Sequence, residues 1–195
     1  MRALILSSFA ICLFVGGPSH GAIPSHPKSR AEAVRSGGKS ELRRLRILAF
    51  DANQTVDVRW RSLLTLAMVG GKDVMPELEA ALKSSDWFMR DAGLLALRKV
   101  DPKSAVRWSR LLLSDPALVV RTSAVSTLRQ LGDSSSRELL WEKLNAPQNF
   151  RGSQSLWVRH HIVQALAEGA TKGEEDKFLK ILGDSRSEER RVGKE

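Results

Sequence analysis

Four histidines, one cysteine and five tryptophans are the side chains from which a reactive or recognition site would have to be built. His20 falls in an apolar leader and His26 on a basic stretch, while His160 and His161 are adjacent in sequence. Neighbours on a helix point about 100° apart, so that pair cannot close on one metal ion. Cys12 lies inside the leader, and once the leader is removed no thiol remains for disulfides or nucleophilic attack. No phosphate-binding loop, nucleophile elbow or metal-spaced carboxylate set is present. The expectation is therefore a chain with no catalytic residue, no metal and no cofactor.

What does recur is arginine. Val58-Arg59, Met89-Arg90 and Val120-Arg121 return every 31 residues, and Val158-Arg159 follows after 38. Leucines keep the same register, with Leu66, Leu97, Leu128 and Leu166 seven residues on, then Leu82, Leu113, Leu144 and Leu182 at twenty-three. A ladder of cations would suit an anionic ligand. Identical placement in every unit instead predicts packing, with each guanidinium on an inter-repeat carboxylate or a helix-end carbonyl. Asp86, Asp115 and Asp184, which close their units, are the expected partners.

A period of this length means stacked supersecondary units, none able to bury its apolar face alone. Val58, Ser62, Leu63, Leu66 and Val69 fall at helical spacing, and Gly70-Gly71 ends that run. Asp73 is the expected cap of the next helix, Pro76 sits in its first turn, and Met75, Leu78, Ala81 and Leu82 form its inner stripe. Asp101-Pro102, Gly132-Asp133 and Gly169 punctuate the later units in the same way. No stretch alternates as a strand does, so the fold class is all-α. Small residues recur where first helices must approach each other: Ser62, Ala92, Gly93, Ser123 and Ala124.

These residues resemble the HEAT-like repeat family in a short form, over about residues 56–185. The resemblance implies a right-handed α-solenoid of stacked helix pairs whose second helices line a concave face. It says little about function, because that scaffold serves adaptors, lyase-like subunits and DNA-repair enzymes alike. No His-Glu pair recurs, which separates the chain from HEAT-like metal hydroxylases. The predicted layout is a signal peptide at 1–22, a flexible basic arm at 23–39 and a capping helix within 40–55. Four repeats follow at 56–86, 87–117, 118–155 and 156–185, then a tail at 186–195.

Both ends have compositions of their own. Arg2, the apolar run Ala3–Val15 and the break at Gly16-Gly17-Pro18 read as a secretory signal cleaved near Gly21 or Ala22, with an uncleaved anchor as the alternative. This predicts a periplasmic or secreted protein. The ten residues from Arg186 to Glu195 match the in-frame translation of a common sequencing adapter, so the natural chain is expected to continue past Ser185 in some other way. A genuine charged tail is the alternative.

The formal charge of +9 is uneven. Residues 27–46 carry a net +5, whereas 47–185 hold 19 basic and 17 acidic side chains. The arm is thus expected either to solubilise the chain or to touch an anionic surface such as lipid head groups, cell-wall polymer or nucleic acid. A near-neutral array and export both argue against nucleic acid as the main partner.

Recognition is then expected on the exposed second-helix positions. The candidates are Glu79 and Lys83 in the first unit, Arg107 and Arg110 in the second, and Glu138, Trp141 and Asn145 in the third. Phe150 adds an aromatic from the extra residues Asn145 to Ser155, which map to one face of the array. Trp and Arg are common binding hot spots, although Trp108 serves equally well as inter-repeat filling. The expected function is a non-catalytic protein–protein interaction scaffold for an unidentified protein partner. The alternatives are a DNA-glycosylase-like solenoid, or a sensor domain of a longer envelope protein.

Overall fold

A computed structural model describes residues 27–184 apart from residue 153, with side chains from residue 38 onward. The segment expected to be a signal peptide, 1–22, and the tail at 186–195 lie outside the described residues. The helices are α1 (Pro27–Phe50), α2 (Val56–Gly70), α3 (Met75–Leu82), α4 (Trp87–Val100), α5 (Pro102–Leu112), α6 (Leu118–Gln130), α7 (Arg137–Leu144), α8 (Trp157–Glu168) and α9 (Glu175–Gly183). The described residues are mostly helical, with one short hairpin among them. Among the described residues no helix is long and apolar enough to cross a membrane.

Helix boundaries follow local chemistry. Thr55 caps α2 by accepting from the Val58 amide at 3.4 Å, and Gly71, at φ 53°, turns the chain out of the helix where a Cβ would be strained. Asp101 caps α5 through the Ser104 amide, and Pro102 occupies the first turn, where its missing N–H costs nothing. Asp73 does not cap α3. A 3₁₀ turn over Gly71–Val74 leads straight into that helix, leaving Asp73 exposed and Val74 buried. The 3₁₀ bonds satisfy the amides that a side-chain cap would otherwise have taken.

The ends of the array differ from the periodic register. The helix expected from about Ser40 starts at Pro27, so residues 27–39 are the first half of α1. Proline at a first helical position is pre-organised, and Ala31, Glu32 and Ala33 are good helix formers that outweigh Gly37-Gly38. Leu182 is 55% exposed, whereas the equivalent Leu82, Leu113 and Leu144 are each 2% exposed; Val69, expected on the inner stripe of α2, is 55% exposed as well. Leu82 owes its burial to the helix that follows. Gly93 of α4 lies so close to Leu82 and Ala81 that a Cβ there would meet them at 3.1–3.2 Å. Among the described residues no such helix follows α9.

Packing is serial. α2 contacts α4, α4 contacts α6 and α6 contacts α8, while α3 packs on α4, α5 on both α4 and α6, and α7 on α8. Leu63, Leu66, Leu78, Leu94, Leu97, Leu128 and Leu166 are 0–1% exposed along this seam. Burying each such side chain contributes roughly 1.5–3 kcal/mol. The extra residues of the third unit form the hairpin β1 (Phe150–Arg151) and β2 (Gln154–Ser155), paired Phe150 with Ser155 around Gly152 at φ 60°. Two-residue strands are too short for periodicity to reveal.

Candidate functional site

Each repeated arginine stands in the first turns of α2, α4, α6 or α8 and reaches the loops on both sides of its unit. Arg59 pairs with Asp86 at 3.0 Å and donates from Nε to the Ala49 carbonyl at 3.4 Å. Arg90 grips Asp115 through Nε and Nη2 at 2.7 and 2.8 Å, and donates from Nη1 to the Ser84 and Ser85 carbonyls. Arg121, 3% exposed, donates to Asn149 Oδ1 at 2.9 Å and to the carbonyls of Asp115, Pro116 and Gln148. Arg159 reaches the Leu144 carbonyl, Asn145 Oδ1 and Asp184 Oδ2, with its guanidinium 4.5 Å from the Phe150 ring centre. The three expected aspartates are found as partners. The ladder therefore staples loops, and its donors are turned inward.

The second-helix candidates divide sharply. Lys83, Arg107, Glu138 and Asn145 are exposed and Glu79 is half-buried. Arg107 donates to Ser104 Oγ at 3.2 Å, and Glu138 lies 4.0 Å from Lys177. Arg110 and Trp141 are partly exposed and also hold neighbouring units together. Arg110 pairs with Asp133 at 3.0 Å and donates to Ser135 and Ser136, which ties α5 to the turn before α7. Burial pushes the Asp133 carboxyl up, but bonds from Ser135, Ser136 and Arg110 outweigh it and leave it below the usual range. Trp141 donates from Nε1 to Glu174 at 2.8 Å and meets Phe178 edge-on at 5.1 Å, which makes it a joint between the third and fourth units. Phe150 and Asn145 both face Arg159 from the loop before α8.

Among the described residues, Glu174 is the ionisable group that its partners perturb most strongly. Arg137 binds its carboxylate through Nε and Nη2, and Thr171 adds bonds from its amide at 2.9 Å and its hydroxyl at 2.8 Å. These bonds, with the Trp141 indole, hold Glu174 far below the ordinary carboxylate range although burial opposes them. Such a shift is often a sign of catalysis. Here every perturbing partner is a helix or turn joint, so the shift reports architecture.

Residues that the sequence reading passed over supply the more open surface. Val56, Trp87, Val119 and Trp157 are 48–58% exposed, and each stands in the first turn of α2, α4, α6 or α8. Those helices contact one another in series, α2 with α4, α4 with α6 and α6 with α8, so each of the four joined helices leaves an apolar side chain exposed in its first turn. The signal was legible: a large apolar residue two or three places before the repeated arginine in every unit. It was hidden because such residues look like more of the buried stripe. Trp157 also stacks near His160 and His161, with ring centres 5.2 and 5.3 Å away. Burial, His160 and Arg129 all lower the His161 pKa.

Two clefts flank the last two units. One, of about 360 Å³, is lined by Arg129, Asp133, Arg137, Leu140, Glu168 and Thr171. Arg129 pairs with Glu168 at 3.2 Å, and Arg137 and Asp133 are held as described. The other, of about 180 Å³, is lined by Trp141, Asn145, Arg159, Lys177, Lys180 and Asp184. Among the described residues, no three His, Cys, Asp or Glu side chains gather as a metal site would require. No protein-family model matches the sequence, and no curated protein compared with it is significantly similar.

Proposed function

We propose that this chain is a HEAT-like α-solenoid acting as a non-catalytic scaffold that binds a protein partner, in the periplasm or outside the cell. Serial packing of α2, α4, α6 and α8 supports the solenoid reading, as do arginine staples at one place in each unit. One observation carries the binding reading: Val56, Trp87, Val119 and Trp157, each about half-exposed in the first turn of one of four successively packed helices. Half-exposed tryptophans offer large apolar area with little side-chain entropy to lose, which suits a protein interface. Lys83, Arg107 and Glu138 on the second helices are the alternative surface. The DNA-glycosylase-like alternative has less support, because Arg110 and Trp141 are held in joints between units.

A photo-crosslinking amino acid placed in turn at Trp87, Trp157, Lys83, Arg107 and Glu138 tests this reading. The expected outcome is one discrete adduct in the native compartment, strongest from Trp87 and Trp157. Adducts confined to the second-helix positions would move the interface there. No adduct above that of a probe at exposed Gln130 would end the scaffold reading.

A further inference from the structure

The carboxyl-terminal half of α1 has two unlike faces. Leu45 and Ala49 are 7% and 0% exposed, and Leu42 is partly buried against the same core. Arg46 pairs with Glu77 of α3. The opposite face carries Lys39, Arg43 and Arg44, all exposed, with Ile47 at 58% and Phe50 at 39% exposed. At 100° per residue, Lys39, Arg43, Ile47 and Phe50 fall within an arc of about 80°, and Arg44 flanks it. Among the described residues none of these three cations has a carboxylate partner, whereas Arg59, Arg90, Arg110, Arg129, Arg137 and Arg159 all do.

From this we infer that the outer face of α1 between Lys39 and Phe50 docks on an anionic lipid bilayer, the cations on head-group phosphates and Ile47 and Phe50 in the interfacial layer. The charge is complementary to that surface and the order along the helix fits it, with cations first and apolar side chains at the last turns. A soluble polyanion would use the cations and gain nothing from Ile47 and Phe50. The inference is independent of the proposed protein-binding side chains, which lie on the first turns of other helices.

The test is flotation of the full chain with phosphatidylcholine vesicles, with and without phosphatidylglycerol, over a range of salt. Binding is expected only with the anionic lipid and should weaken as salt rises. Arg43→Glu with Arg44→Glu should reduce it by more than about tenfold. Ile47→Ser with Phe50→Ser should weaken vesicle binding while leaving retention on heparin unchanged. Insertion of the apolar leader would instead appear equally on neutral vesicles and in the arginine variant. Equal binding to neutral and anionic vesicles, or no binding at all, overturns the inference. Vesicle binding unaffected by the Ile47/Phe50 pair also overturns it, leaving a general polyanion contact. Circular dichroism confirms that each variant remains helical, and Lys39→Glu serves if the arginine pair unfolds.

Discussion

Arg90 and Arg121 are separated by one repeat, occupy the same place in their helices and use different acceptors. Arg90 closes its unit on a carboxylate, Asp115, in two-pronged fashion. Arg121 closes its unit on a side-chain amide and carbonyls, because eleven residues from Asn145 to Ser155 lie where a short loop would bring an aspartate. The fixed feature is thus the guanidinium fork and its donor directions, not charge neutralisation. Where the loop lengthens, Asn149 enters the space left by the aspartate. Its Oδ1 accepts from Arg121, while its Nδ2 donates to the Lys143 carbonyl at 2.8 Å. Only an amide does both.

The comparison can be broken most forcefully by truncation. Arg90→Ala removes the ion-pair partner of the Asp115 carboxylate, 6% exposed, leaving it the Ala117 amide, and should cost about 3–5 kcal/mol. Arg121→Ala strands neutral acceptors, some of which water can reach, and should cost about 2–3 kcal/mol in the same urea titration. A larger loss for Arg121 would mean that ion pairing is not what separates the two joints. Next in size is Asn149→Asp, which supplies the charge the other units use yet removes the donor to Lys143. It should destabilise by about 1 kcal/mol, and a gain in stability would show that the amide is an accident of the loop.

The smallest effect is one of pH, at the joint between the third and fourth units. Glu174 has a folded pKa depressed below its ordinary value of 4.5. Its contribution is therefore complete above that pH and is lost as the pH falls towards the folded value. Glu174→Gln should be the less stable protein near neutrality, with the two stability curves converging on acidification. Parallel curves would remove Glu174 as the acid-sensitive element.

The sequence disclosed what depends on period. The helix order, the buried leucines at matching places and the arginine partners Asp86, Asp115 and Asp184 all follow from a repeated register. What it concealed depends on context. That Trp141 and Arg110, singled out for recognition, also join units was not legible, because nothing local to α5 or α7 engages them. Their partners, Glu174 and Asp133, lie 33 and 23 residues on, across a joint between units. Asp73 looked like a cap because a capping side chain and a 3₁₀ turn leave the same trace in sequence. The exposed side chains of Val56, Trp87, Val119 and Trp157 were passed over for a related reason. Hydrophobicity marks the residues that can be buried, and only the next helix decides which of them are.

Asp115 holds one more consequence. Its carboxylate serves Arg90, while its carbonyl serves Arg121 at 2.7 Å. A fluctuation that opens this one loop therefore takes acceptors from a guanidinium on each side of it. Opening cannot stay local: it loosens α4 and α6 together, and the stretch between them gains or loses order as a single cooperative block.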